Sequence, residues 1–477
     1  MAAMPPIAPS STPARAAPVV PAAPLPTVWL MLGTFIVTFD FFAVNVTVPT
    51  LRDALAADAA QLQWVVAAFG LLYGAGLIAG ARLGERHGVE RVFGLGLALF
   101  ALASAAAAAA PDLTWLITAR AVQGVAAALL TPQVLSLAGR VPDAAQRQRA
   151  FVAYGASLGF GAALGPLLGA ALVEADLFGL GWRAVFAPQV LLAAAAALRV
   201  QPWRRSGGRG PALDVASVLL LAFSTMALVV PLIEGRRLGW PLWLLALPLA
   251  AAFGLWWFWR RQRSLAWHHG PALIDPALMQ RPFVHALITV LVFYCSNASC
   301  ILIVSLWLRS VYELRPIAAA AVYTAMSVGF IATTFGGRAW FGRWGDRRLV
   351  IGAIALALSQ LGIAWQLHAG AALWALLPTL LFSGAAFGMV MSPLVARSVD
   401  TLPRARAGMA GGVVVTVQWL GNALGVAALG SIYFALAPRA GVEAAALSHV
   451  LLGALAAAVA VLLPRWIHTP PGTAHTE

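Results

Sequence analysis

The stretch TVWLMLGTFIVTFDFFAVNVTVPTL, residues 27–51, decides how the chain is read. It is long and apolar enough for a helix to cross a hydrocarbon core ~30 Å thick, which takes roughly 20 residues. Yet Asp40 sits near its middle, about 18 Å into the span at ~1.5 Å per residue. A carboxylate at that depth is expensive unless it is paired, hydrated or protonated, so its presence points to function.

The rest of the chain is built the same way. Of 477 residues, 61% are hydrophobic and only 10% charged, and mean hydropathy is +0.84. Soluble domains carry about 25% charged residues. Apolar runs fall at about 27–51, 61–82, 91–110, 113–139, 148–173, 180–199, 212–233, 240–259, 283–308, 316–341, 348–368, 370–395, 406–437 and 444–464. None shows the alternating ~10-residue strands of a membrane barrel. The expected fold is therefore an all-α polytopic membrane protein with 14 transmembrane helices, and no linker is long enough to hold a soluble domain. Residues 1–26 are rich in Pro and Ala with Arg15 the only charge. They lack the basic start of a cleaved signal and are expected to form a disordered tail.

The net charge of +14 comes from 31 Arg and no Lys. Nucleic-acid binding would need these on one face of a folded domain. Here they lie between apolar runs and alternate in density. With both termini inside, inside segments hold 23 Arg and outside loops hold 7. That asymmetry predicts cytoplasmic termini in a bacterial inner membrane. Trp256, Trp257 and Trp259 are expected in the interfacial belt. Cys295 and Cys300 would lie ~140° apart on one helix and ~7.5 Å along its axis, so they cannot form a disulfide. His268 and His269 lie in a loop, and no cluster has metal-ligand spacing. No phosphate-binding loop appears, and no cofactor is implied. The Asn-x-Ser/Thr patterns at Asn45 and Asn297 fall inside apolar spans and are discounted as glycosylation sites.

An internal echo divides the chain. ERHGVERV (85–92) follows the second run and GRWGDRRL (342–349) follows the tenth. If the seventh and eighth runs are an insertion, these turns occupy equivalent places in two six-helix halves, an arrangement common in secondary transporters. The expected units are a tail (1–26), an N-terminal bundle (27–202), two extra central helices (211–262), a C-terminal bundle (282–464) and a second tail (465–477).

Five motifs in order along the spans resemble the major facilitator superfamily, specifically its fourteen-span drug:proton antiporter branch. FDFFAVNVTVP (39–49) is similar to that branch's first-helix signature through Asp40, Asn45, Val46 and Pro49, with Phe42 where Thr is common. ARLGERHGVERV (81–92) resembles the superfamily's loop motif through Leu83, Arg86, Gly88 and Arg91, with Glu85 in place of Asp. RAVQG (120–124) resembles the fourth-helix motif. GAALGPLLGA (161–170) resembles the fifth-helix antiporter motif, and GMAGGV (408–413) the start of the penultimate helix. The resemblance implies a fold of two six-helix bundles plus two central helices. It also implies alternating access without ATP and a cytoplasmic gate at Glu85, Arg86, Gly88 and Arg91. Those loop residues also read simply as topology-setting charges around a tight turn.

Asp40 and Arg120 are the charges well inside spans, at similar depth on the first and fourth. An isolated buried acid favours its neutral form and a nearby Arg favours its charged form, a competition suited to proton coupling. The other reading is a fixed ion pair that only orients helices. Gly161, Gly165 and Gly169 recur every four residues, with Pro166 among them. They offer a smooth, bendable face, for a moving contact or for static close packing. Polar residues within spans, Asn45, Gln133, Tyr154, Tyr294, Asn297, Gln418 and Asn422, are candidates for the cavity wall. Each also reads as interhelical hydrogen-bonding glue. The function expected is a proton-coupled antiporter exporting small hydrophobic or cationic compounds. An importer or metabolite exporter of the same fold is the alternative, and a polytopic enzyme or a receptor fits less well. The partners expected are a small-molecule substrate, protons and the lipid bilayer, with a periplasmic adaptor protein left open.

Overall fold

The structure, a computed structural model, describes residues 27–139, 141, 143–200, 212–268, 270–402, 407–437 and 441–467. The tail expected at 1–26 and all but the first residues of that at 465–477 lie outside the described residues, as does His269. Among the described residues, fourteen helical spans are long and apolar enough to cross a membrane. They are α1 (Thr27–Leu55), α2 (Ala59–His87), α3 (Val89–Ala108), α4 (Leu113–Gly139), α5 (Ala144–Ala175), α6 (Ala187–Arg199) and α7 (Val215–Leu238). Then follow α8 (Leu242–Trp267), α9 (Arg281–Ser310), α10 (Pro316–Phe341), α11 (Arg347–His368), α12 (Leu373–Asp400), α13 (Ala407–Leu436) and α14 (Gly441–Leu462). A 3-10 segment, Gly181–Phe186, leads into α6 and completes the sixth span. There are no strands among the described residues.

Helices run past their apolar cores to polar caps. Asp58 accepts from the Gln61 N–H at 2.8 Å, while Gln61 Oε1 accepts from the Asp58 N–H at 3.0 Å, a reciprocal box that starts α2. Asp143 caps α5 through the Gln146 N–H at 2.7 Å. The two echoed turns both need a left-handed residue. Gly88, between α2 and α3, has φ +99°, and Gly345, before α11, has φ +50°.

The packing repeats with an offset of eight helices. α1 packs on α5 as α9 does on α13, and α2 packs on α4 as α10 does on α12. α3 contacts α4 and α6 as α11 contacts α12 and α14. α7 lies between the two sets and touches both α2 and α13, whereas α8 leans mainly on α7. Trp256 and Trp257 on α8 are about half exposed, with Arg260 over the Trp256 ring.

One end of the bundle carries the start of α1 and the close of α14 (the near end); the other carries the α1–α2 turn (the far end). The halves meet tightly at the far end. Arg309 pairs with Asp53 at 2.9 Å and Arg315 with Glu174 at 2.8 Å. Ser431 donates to Gln63 Oε1 at 3.1 Å. α7 stitches this end as well, through Trp64 to Glu234 at 2.8 Å on one side and Arg236 to the Phe434 carbonyl on the other. Toward the near end, a methyl added at Gly139, Gly155, Gly411 or Gly412 would meet nothing within 4 Å. The ion pairs that join the two halves among the described residues thus gather at the far end.

α5 lies against α1 with almost no side chain between the backbones. A Cβ on Gly161 would fall 2.8 Å from the Thr38 Cβ, and one on Gly165 2.8 Å from the Phe42 Cβ and 3.1 Å from the Phe39 carbonyl. One on Gly169 would meet the Ala43 Cβ at 3.0 Å. Gly165→Leu is expected to force α1 and α5 apart, costing roughly 1–3 kcal/mol of overpacking and stopping flux. Thermal stability of the purified variant and substrate flux in vesicles check this. Normal values of both would show that the contact yields freely.

Candidate functional site

The site grows from the RAVQG segment of α4. Gly124 lets α4 touch α2, because a Cβ there would stand 2.4 Å from the Phe69 carbonyl. That approach turns Arg120 into the space between α1 and α2. Its Nη1 donates to Asp40 Oδ2 at 2.5 Å and to Gln123 Oε1 at 2.8 Å, and its Nε donates to the Val65 carbonyl at 3.1 Å. The guanidinium also lies 4.5 Å from the Phe69 ring centroid, in cation–π geometry. Gln123 Nε2 reaches Asp40 Oδ1 at 3.4 Å and Ser104 Oγ at 2.8 Å, and Gln189 Oε1 at 3.3 Å. Asp40, Arg120, Gln123, Ser104 and Gln189 are all fully buried. A buried ion pair persists only when its remaining donors and acceptors are satisfied, and this shell supplies that. Asp40 and Arg120, placed at similar depth by the sequence, are therefore direct partners.

Phe69 carries this pair toward the other half. Trp419 of α13 inserts among Phe41, Phe69 and Tyr73, with ring centroids at 5.0, 5.8 and 4.3 Å. A Cβ on Gly74 would meet the Trp419 Cβ at 3.2 Å, so a glycine clears the way for the indole. The sequence reading chose the neighbouring Gln418, which is only half-buried, and missed Trp419 because an indole in an apolar span reads as core.

The second half has a polar cluster on the corresponding helices. Trp307 Nε1 donates to His449 Nε2 at 3.0 Å, which leaves Nδ1 to donate to Gln360 Oε1 at 2.6 Å. Gln360 Nε2 donates to Ser383 Oγ at 3.1 Å. The registers agree: Gln123 and Ser383 are each eleventh in their helices, and Gln189 and His449 each ninth in their spans. The repeat thus extends from turns to buried polar positions. His449 and Gln360 were not singled out from the sequence, where a lone His in an apolar span carries no spacing signal.

Between the halves lies a cavity walled by α1, α5, α9, α10 and α12, with about 550 Å³ of space that includes part of the open solvent at its mouth. Of the seven polar residues proposed for a cavity wall, Asn297 borders this one. Gln133 does not; its Nε2 donates to the Gly80 carbonyl at 2.8 Å and ties α4 to α2. Asn45 Nδ2 donates to the Phe41 carbonyl of its own helix at 2.7 Å, while its Oδ1 is buried without a hydrogen-bond partner among the described residues. Tyr294 is buried edge-on to Phe293, Tyr154 is half-buried against the core, and Asn422 is buried in α13. Pro166, expected only to bend α5, also forms part of the wall.

The loop motif distributes its charges differently from the expectation. Glu85 pairs with Arg82 at 3.0 Å, and Arg82 also donates to the Ala272 carbonyl at 3.0 Å. Arg82, not among the four proposed gate residues, is thus the residue that crosses to the segment after α8. Arg86 and Arg91 are exposed, and Gly88 supplies the turn.

The Major Facilitator Superfamily profile matches residues 30–233 and 215–426. The chain belongs to the major facilitator superfamily. It is accordingly a multi-pass membrane protein of a transporter family rather than an enzyme. The probable actinorhodin transporter of Streptomyces coelicolor is 31% identical over 421 residues, covering 86% of this chain and 73% of that protein. The puromycin resistance protein pur8 of Streptomyces alboniger is 29% identical, covering 84% and 80%. The drug efflux pump JefA of Mycobacterium tuberculosis is 30% identical, covering 84% and 78%. Among solved structures, the partially occluded inward-open xylose transporter XylE from E. coli superposes with a TM-score of 0.66 at 16% identity, covering 94% of this chain and 98% of that one. At that identity the likeness concerns the fold of this superfamily member alone.

Two exposed ion pairs, each worth about 0.2–1 kcal/mol, contribute to closure of the far end beside the hydrogen bonds there. Arg309→Gln combined with Arg315→Gln is expected to raise the far-open population roughly 2- to 30-fold. Spin-label distances across that end check the shift. An unchanged distribution would place closure on the α7 stitching instead.

Proposed function

We propose that this chain exports small, largely apolar compounds across a bacterial inner membrane in exchange for protons. The observation that carries the reading is the fully buried Asp40–Arg120 pair on α1 and α4, with α1 also walling a cavity between the halves. The Arg asymmetry of the loops makes the near, terminus-bearing end cytoplasmic. In that orientation the ion-paired far end faces outside. A proton arriving from outside neutralises Asp40 and releases Arg120 from it. The Phe69–Trp419 contact passes the rearrangement to the other half, and the α1–α5 glycine face lets the helices rock. A proton crossing 100 mV supplies ~2.3 kcal/mol, enough for roughly a 50-fold gradient of a neutral substrate exchanged one for one. The names of the relatives, a probable actinorhodin transporter and resistance and efflux proteins, agree with export. The test is uptake of a panel of dyes and antibiotics into inverted vesicles, with and without a pH gradient. Uptake that collapses with an uncoupler is expected. Uptake indifferent to the gradient would refute proton coupling, and accumulation only in right-side-out vesicles would reverse the direction.

A further inference from the structure

The chemistry of the inter-half cavity goes further than export in general. Its described wall holds no Asp, Glu, Arg or His. Phe42, Phe330, Phe387 and Tyr323 supply aromatic faces, and Met326 and Met391 supply adaptable thioethers. The polar side chains with no hydrogen bond to another described residue are Asn297, 8% exposed, and the half-buried Ser327. Tyr323 spends its hydroxyl on the Ile301 carbonyl. The Asn297 amide is not enclosed by protein, so a ligand in the cavity can hydrogen-bond to it in place of water. No free acid stands ready for a cation. Asp40 is held by Arg120 and fully buried, and Asp214, the other buried carboxylate among the described residues, is paired with Arg261 at the near end of α7.

We propose that this cavity selects uncharged aromatic compounds that hydrogen-bond to Asn297, and discriminates against cations. The proposal rests on the export reading and narrows its substrate class. A cation entering the site loses its water and meets aromatic faces but no counter-charge. A neutral planar molecule loses little water, stacks between the Phe and Met side chains, and presents a carbonyl or hydroxyl to the amide. A site with so few hydrogen-bonding groups disfavours analogues that cannot use them.

Acridone and 10-methylacridinium make a matched test, because they share size and planarity but differ in charge and in the carbonyl. Fluorescence titration of the full-length protein in detergent is expected to show acridone binding at least tenfold tighter. Asn297→Leu keeps the volume and removes the hydrogen bond, and should weaken acridone about fivefold. Asn297→Asp keeps the shape and adds a carboxylate, and should narrow or reverse the preference by tightening 10-methylacridinium. Monodisperse elution of both variants shows that they fold. Equal or tighter binding of the cation by the unaltered protein overturns the proposal, as does acridone affinity unchanged in Asn297→Leu. Failure of the export reading looks different: acridone binds as expected, yet no compound of the dye and antibiotic panel moves in response to a pH gradient.

Discussion

Asp40→Asn is expected to abolish pH-driven accumulation completely, from a gradient of up to ~50-fold per 100 mV to none. Passive exchange of substrate across vesicles should persist. Asn has the shape of the protonated acid and its carbonyl still accepts from Arg120. If Asp40 is neutralised once in every cycle, the fold already tolerates a neutral group there, and the variant should unfold within a few degrees of the unaltered protein. Arg120 retains the Val65 carbonyl, Gln123 and the Phe69 face in that state. If the pair is instead a fixed strut, Asn leaves a buried cation without its counter-charge, at a cost of roughly 3–5 kcal/mol. Thermal unfolding in detergent and vesicle flux, measured on the same preparation, separate the two. Strong destabilisation, or wild-type accumulation, would each remove Asp40 from the coupling role.

The number of spans and the order of the motifs were legible because length and apolarity alone determine them. Fourteen runs were read and fourteen helices are present. Rotation about each helix axis was not legible. α4, α5 and α7 are apolar all round, so no periodicity marks the face that looks inward. Depth could place Asp40 and Arg120 at one level, but only the close α2–α4 contact through Gly124 turns them together. The same blindness affected the polar residues. An Asn within a span gives one signal whether it borders a cavity, as Asn297 does, or bonds back onto its own helix, as Asn45 does. Glycine spacing was more informative where it was followed through. Gly421 and Gly425 on α13 meet the backbone of α9, repeating what Gly161 and Gly165 do on α5. That pair lay in plain sight four residues apart, and only the offset-by-eight packing shows its equivalence.

Arg120→Gln is expected to have the second large effect, and it addresses what the arginine holds. The substitution removes the ion pair, the Val65 tie and the cation–π contact together. It leaves Asp40 fully buried with only uncharged partners, Gln123, Gln189 and the new amide. Breaking a buried pair from one side costs about 3–5 kcal/mol, because the remaining charge is uncompensated. Adding Asp40→Asn to Arg120→Gln makes both positions neutral and hydrogen-bonding. The double variant should therefore be more stable than Arg120→Gln alone, although export is absent from both. A double-mutant cycle on unfolding temperature reads the coupling directly. Recovery in the double variant assigns the cost to the charge on Asp40, as expected of a carboxyl that must find either a cation or a proton. Equal instability of the single and double variants would assign it to the Val65 carbonyl and Phe69. In that case Arg120 would act chiefly as a clasp between α4 and α2, and the electrostatic link from Asp40 to Trp419 would be broken at its first step.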